Sequence, residues 1–287
     1  MLWLLFAFLS AFFQSLKDLI GKRSLEDVDE YVVTWASRFF SLPLLLPLLW
    51  FHGVPSLSWK FWLVFPILLT LQAVGNILFF RAIKLGDLSL TVPMLAFSPL
   101  FLLGITPVML GEYPTGLDSL GILMIVGGSY LINLKAKKLG YLAPFRALIH
   151  NQCSKIMLFV ALMFALISTL NKIVIQESNI FFWTAFDYSC FSLVLLPIML
   201  RNSQAPAQKI LANIKYLIPI GFCQGLMMLC FTKALELTLV AQVVAVKRLS
   251  ILITIVLASL LFQESNFKER FLGAAIMLLG VILISLW

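Results

Sequence analysis

"GEYPTGLDSLGILMIVGGSYLI", residues 111–132, returns 152 positions later as "QESNFKERFLGAAIMLLGVILI", residues 263–284. Each copy carries an acidic residue, a short turn and an apolar run with two glycines seven apart. Glu112, Gly121 and Gly128 thus fall on Glu264, Gly273 and Gly280. Going back along the chain at the same offset, without a gap, Ser98 meets Ser250, Ala82 meets Ala234, Arg81 meets Lys233, Phe79 meets Phe231 and Gln72 meets Gln224. Further upstream the match continues with small shifts. Thr34 and Pro47 lie on Thr184 and Pro197, and "AFFQSLKDLI" (11–20) lies on "ALISTLNKIV" (165–174). Shared hydrophobicity does not make polar residues and glycines recur at one offset, so the chain reads as two copies of one unit.

Composition names the solvent of that unit. The chain is 61% hydrophobic and 12% charged, with a mean hydropathy of +1.02; soluble domains carry roughly 25% charge. So much apolar surface cannot be hidden in one globular core and must face lipid. Stretches of about 20 mostly apolar residues mark spans at 2–20, 30–51, 60–81, 88–110, 116–134, 155–174, 180–200, 215–235, 240–262 and 269–286. The opening "MLWLLFAFLSAFFQSLKDLIGKR" lacks a positive n-region and a small-x-small cleavage site, and reads as the first span. Five spans per copy is an odd number, so the second copy enters from the opposite side. The expected fold is an all-α membrane protein of ten transmembrane helices in two inverted five-helix repeats. The first repeat is 1–134, a basic linker 135–154, and the second repeat 155–287. Inverted repeats of this kind are the architecture of secondary transporters.

The net charge of +8 is distributed by topology. Loops after odd-numbered spans, with their flanks, hold fifteen of the Lys and Arg residues; loops after even-numbered spans hold three: Lys60, Lys172 and Lys233. By the positive-inside rule the odd loops are cytoplasmic and both termini outside, in an inner (plasma) membrane. No basic stripe with interleaved aromatics exists, so no nucleic-acid partner is expected. The linker segment "LGYLAPFRALIH" is read either as a short amphipathic helix on the membrane or as a solvated connector.

Residues able to support chemistry are few. Cys153, Cys190, Cys223 and Cys230 form neither a CxxC pair nor a metal-ligand spacing, and His52 and His150 are placed in loops; no metal and no cofactor are expected. The spans nonetheless contain Asp187, Arg38 and the adjacent pair Lys247 and Arg248. A cation at mid-bilayer costs a few kcal/mol even on lenient scales. Asp187 and Lys247 each lie about seven residues into spans that start on one face, hence at a shared depth of roughly 11 Å. Asp187 is therefore expected to bond Lys247 or Arg248. One carboxylate cannot neutralise both, which leaves a cation to meet a carboxylate or phosphate in a wet cavity. Arg38 is a third such cation. Gln14 and Ser15 in span 1, Gln72 and Asn76 in span 3, Gln224 in span 8, and Tyr188 and Trp183 beside Asp187 are read as cavity lining or as interhelical packing. Glu112 and Glu264, each just before a helix start, are read as structural caps. The spaced glycines are read as a close helix contact, with dimerisation as the other option, so the chain is expected as a monomer or homodimer. Prolines predict kinks, most of all in span 4 (Pro93, Pro99, Pro107); span 9 has none. At the repeat offset Leu95 and Ala96 stand where Lys247 and Arg248 do.

Two five-helix halves ending "GE-(turn)-G…G" and "QE-(turn)-G…G" resemble the EamA-type branch of the drug/metabolite transporter superfamily, over nearly the whole chain. The resemblance implies transport of a small solute without naming it. The adjacent Lys-Arg pair is similar to one by which distant plastid triose-phosphate translocators hold phosphate, which points to an anionic ligand. The combined reading is a secondary transporter of an anionic or zwitterionic metabolite, working by alternating access within a lipid bilayer. Amino acids, carboxylates and phosphorylated compounds fit that description. A proton or an exchanged solute would drive it, since no GxxxxGK loop is present for ATP. Asp187 is the candidate proton carrier, although an ion pair would hold it charged. The alternatives are a lipid-linked-sugar flippase and a non-transporting scaffold. An intramembrane enzyme would need a clustered nucleophile and base that the spans lack.

Overall fold

The computed structural model describes residues 1–24, 27–85, 92–133, 152–262 and 267–285, and among these the regular structure is entirely helical. Span 1 is Leu2–Ser24, span 3 Trp59–Leu85, span 5 Gly116–Asn133, span 6 Gln152–Gln176, span 7 Ile180–Asn202, span 8 Ile214–Leu237 and span 10 Phe267–Ser285. Spans 2, 4 and 9 are each made of two pieces: Glu30–Phe39 and Leu42–His52; a 3₁₀ turn at Val92–Phe97 and Ser98–Leu110; Val240–Lys247 and Leu249–Phe262. The pieces make up ten spans in two inverted repeats, as expected from the sequence. Residues 135–151 of the linker, His150 among them, and Glu264 lie outside the described residues; 152–154 already belong to span 6.

The interruptions have local causes. Pro43 has no amide to offer the carbonyl of Phe39, so span 2 stops and restarts with a proline near its new N-terminus. Pro99 does the same to the carbonyl of Leu95, and span 4 changes from a 3₁₀ turn to an α-helix there. The proline-free span 9 is broken as well, so proline content did not distinguish it from span 4. The Arg248 amide bonds Ala245 O at 3.0 Å and the Ile251 amide bonds Arg248 O at 3.1 Å, a tightened turn in place of the α ladder. Position 248 is position 96 plus the repeat offset, so the breaks in spans 4 and 9 are equivalents. His52, expected in a loop, is the last residue of its helix and stacks on Phe181 with ring centroids 3.7 Å apart.

Packing follows a pseudo-two-fold. Span 1 lies on span 8 as span 3 lies on span 6; span 1 meets span 9 as span 6 meets span 4; spans 2 and 7 pair, as do 5 and 10. The contact between spans 5 and 10 is made by the glycines. A Cβ on Gly121 would stand 2.7 Å from Gly280 O, and one on Gly280 would stand 2.6 Å from Gly121 O. The spaced glycines therefore join the two halves of one chain.

A helix the sequence reading omitted, Pro206–Ala212, follows span 7. It is tied to the start of span 2. Asp29, the N-cap residue there, accepts from the Val32 amide at 3.1 Å, from Ser203 Oγ and from Lys209 Nζ at 3.0 Å. Burial alone would push the Asp29 carboxyl up. The bonds from Ser203, Lys209 and Val32, with the Lys209 charge, outweigh it and hold the group below its ordinary value of 3.8.

Candidate functional site

Span 7 supplies the centre of the molecule. Asp187 and Tyr188 are adjacent and fully buried, and each is held by a glutamine from a different repeat. Gln72 Nε2 donates to Asp187 Oδ1 at 3.1 Å; Gln224 Nε2 donates to the Tyr188 hydroxyl at 2.6 Å. Neighbouring residues on a helix diverge by about 100°, so the two glutamines reach span 7 from different sides. Asn76 Nδ2 turns back to Gln72 O at 2.7 Å and steadies that stretch of span 3.

The expected ion pair between Asp187 and Lys247 or Arg248 does not form. The cation nearest Asp187 is Arg38, whose Nη1 lies 4.0 Å from Oδ2 and whose guanidinium carbon lies 4.4 Å from the Tyr188 ring centroid and 5.1 Å from that of Phe191. Depth was the wrong guide because it compared only spans starting on one face. Arg38 comes from the other face, about 12 Å in, and a long side chain covers the remaining distance to Asp187.

The adjacent cations of span 9 divide their work. Arg248 Nη2 donates to Leu95 O at 2.8 Å and to Ser98 Oγ. Leu95 O is the carbonyl that Pro99 leaves without an α-helical donor, so Arg248 fills a vacancy in the broken span 4. Lys247 diverges from it and sets its ammonium 4.2 Å above the Phe231 ring centroid, a cation–π contact. Among the described residues no carboxylate lies within 4.0 Å of Lys247.

All of these groups line one cavity of about 940 Å³. It brings together every substrate or coupling residue expected from sequence: Gln14, Arg38, Gln72, Asn76, Asp187, Tyr188, Gln224, Lys247 and Arg248. Ser15 and Trp183 are buried outside its wall; Trp183 Nε1 donates to Asn171 Oδ1 at 2.9 Å. The cavity also includes two charges near the end of span 1: Lys17, which the topology count places with the loop that follows, and Asp18. Gln14 Nε2 donates to both oxygens of Asp18 at 2.8 and 3.0 Å, and Lys17 lies 3.5 Å from Asp18. The spacing of Gln14, Lys17 and Asp18 on one helix face was the available signal. Ser98 and Ser250, noted only as a repeat match, are both on the wall.

Lining residues such as Gly21, Val33 and Phe79 belong to the ends of spans 1 to 3 nearest the basic loops, so the cavity extends toward that face. The opposite, Met1 face is shut. Phe61, Phe65, Phe182, Trp183 and Phe186 cluster there, with Phe61 and Trp183 centroids 6.1 Å apart. Beside them Glu112 pairs with Lys172, and its other oxygen accepts from the Val240 amide at 2.9 Å. Glu112 is thus a cap, but of span 9 in the other repeat and not of span 5, which follows it. The start of span 5 is satisfied by a reciprocal pair, Thr115 amide to Asp118 Oδ2 at 2.9 Å and Asp118 amide to Thr115 Oγ1 at 3.2 Å. Gln242 Nε2 donates to Asp118 Oδ1 at 2.7 Å and completes the seal.

The family model described as "EamA-like transporter family" matches residues 1–134 and 154–286. The chain belongs to that family, within the drug/metabolite transporter superfamily, and is an integral multi-pass membrane protein. Among solved structures a similar chain, described only as a protein crystal structure, superposes with a TM-score of 0.78 at 12% identity, covering 99% of this chain and 97% of that one. That likeness concerns the fold alone. No curated protein matches.

Proposed function

We propose that the chain is a secondary transporter that moves a small anionic or zwitterionic metabolite by alternating access, with Lys247 and Arg38 receiving its negative group. Lys247 carries the reading: an ammonium in the middle of an apolar span, without a carboxylate partner among the described residues, facing the cavity. Leaving a cation there costs stability, and an incoming carboxylate or phosphate would supply the missing charge. Gln224, Gln14 and Asn76 offer neutral donors and acceptors for the rest of the solute. A cavity of about 940 Å³ suits a small organic molecule with some water. On this reading, with the basic loops inside, the cavity serves the cytoplasmic face and the aromatic cluster guards the outer one. Direct ATP drive has no phosphate-binding loop to support it, so a proton or counter-solute supplies the energy.

The test is uptake into proteoliposomes across a panel of amino acids, carboxylates and sugar phosphates, with and without a pH gradient. Wild type should concentrate one class, and Lys247→Ala should lose most of that uptake. Undiminished anion transport by Lys247→Ala removes its binding role. Movement of no solute at all by wild type favours a scaffold.

A further inference from the structure

One atom of the cavity has no use in the cycle so far: the second oxygen of Asp187. Oδ1 accepts from Gln72, but among the described residues Oδ2 has no hydrogen-bond partner, and it is closed to solvent. Its nearest cation, Arg38, stands 4.0 Å away, beyond hydrogen-bond range, and lies against two aromatic rings. The other groups around Asp187 are Gln72 from span 3, Tyr188 and Cys190 on its own helix, and Gln224 of span 8 bonded to Tyr188. Lys17 and Asp18 of span 1, Asn171 of span 6, and Lys247 and Arg248 of span 9 share the cavity. Arg248 is committed to Leu95 and Ser98, and Lys17 to Asp18. The charge of Asp187 therefore depends chiefly on Arg38.

A substrate anion that engages Arg38 takes away that counter-charge and leaves Oδ2 with neither partner nor compensation. A proton bonded to Oδ2 removes that uncompensated charge at the atom itself. We propose that Asp187 takes up a proton when a substrate anion engages Arg38, so that anion and proton cross together; this rests on the anion-transport reading above. The proton comes from cavity water that reaches Oδ2 as Arg38 turns to the anion, and it leaves when the anion departs and Arg38 returns. Before loading the set is guanidinium plus carboxylate; after loading with a monoanion it is guanidinium, anion and neutral acid. Lys247 adds one positive charge to both forms, so proton uptake leaves the net charge of the site unchanged on loading, and the bound anion brings no further charge into the low-dielectric interior.

The purified full chain is examined by infrared difference spectroscopy, with proton uptake from weakly buffered medium recorded in parallel. Succinate and inorganic phosphate are the probes. Each anion should raise the carbonyl band of a protonated carboxylic acid in wild type, with matching proton uptake, and Asp187→Asn should abolish both. Arg38→Gln should show the band without any anion, whereas Arg38→Lys should keep it anion-dependent. Anion binding without proton uptake, or an Arg38→Gln protein whose Asp187 stays ionised at neutral pH, overturns the proposal. If neither probe binds wild type, the Arg38→Gln spectrum decides it alone. Anion uptake into proteoliposomes that ignores the pH gradient would sink this inference and leave the transport reading standing.

Discussion

Gln72 and Gln224 occupy the same position in the two repeats, and they donate to adjacent residues of a single helix, Asp187 and Tyr188. Because the second copy is inverted, equivalent side chains on spans 3 and 8 approach the molecular centre from opposite sides and meet at span 7. The two bonds are chemically unequal, since one acceptor is a carboxylate and the other a phenol.

Removing them should reveal that inequality. Gln72→Ala leaves both oxygens of a buried carboxylate without a hydrogen bond and should cost about 1–3 kcal/mol; Gln224→Ala strips a neutral hydroxyl and should cost about 0.5–1.5 kcal/mol. Denaturation of the purified protein in detergent measures both. Equal losses would contradict the assignment.

The two cations of span 9 should respond oppositely. Arg248→Ala deprives Leu95 O and Ser98 of their donor and should destabilise by about 1.5–3 kcal/mol. Lys247→Ala removes a desolvated charge that lies within electrostatic reach of Lys17, Arg248 and Arg38. It should leave the melting temperature unchanged or higher while weakening anion binding at least tenfold. A melting temperature that falls as far for Lys247→Ala as for Arg248→Ala would refute the division of labour.

Gly127 and Gly128 are a matched test of the contact between spans 5 and 10. A Cβ on Gly128 would stand 2.5 Å from Gly273 O and 2.6 Å from Met277 Cγ, whereas one on Gly127 meets nothing within 4 Å. Gly128→Ala should cost about 1–3 kcal/mol by overpacking. Gly127→Ala should be neutral, or stabilising by up to about 1 kcal/mol through helix propensity. Thermal melts of the two single variants read the difference directly.

At the Met1 face, Glu112→Gln or Lys172→Met alone should destabilise by about 3–5 kcal/mol, each stranding a buried charge; the double variant should lose much less than the sum. A double-mutant cycle checks this. Additive losses would mean that the two groups do not interact.

Asp29 predicts a pH dependence at the other face. Its folded value lies below the ordinary 3.8, so its stabilising effect is fully present above that pH and is lost as the pH falls through the folded value. Asp29→Asn should be less stable than wild type at neutral pH by up to about 1 kcal/mol, since the Lys209 pair is partly exposed. The gap should close in acid. Parallel melting curves that keep a constant gap below pH 3.8 would rule this out.

The fold was legible because its signals were chemical misfits at a fixed offset. Glutamines and glycines inside apolar spans need a reason, and Gln72/Gln224 and Gly121/Gly273 declared theirs by recurring. Membership of the cavity was legible for the same reason: Asp187, Arg38 and Lys247 are too costly in lipid to face outward. Their partners were not legible. Partnership depends on azimuth and on where a helix breaks, and the turn at Arg248 follows from no proline of its own but sits opposite the carbonyl that Pro99 frees. Lys17, Asp18 and Lys172 were hidden by position, since charges near the end of a span usually belong to a loop. The reach of Glu112 across to Val240 was hidden by sequence distance, because a carboxylate before a helix suggests the helix that follows.

Spans 5 and 10 touch through glycine carbonyls, and that has a bearing on how the two halves came to differ. A seam set by glycine backbones, with only Ile125, Met277 and Ile284 crowding in beside them, is indifferent to which side chains are exchanged elsewhere, provided those residues are kept. The first copy could keep its prolines and greasy Leu95 while the second acquired Lys247 and Arg248, and the halves would still close against each other along the same line.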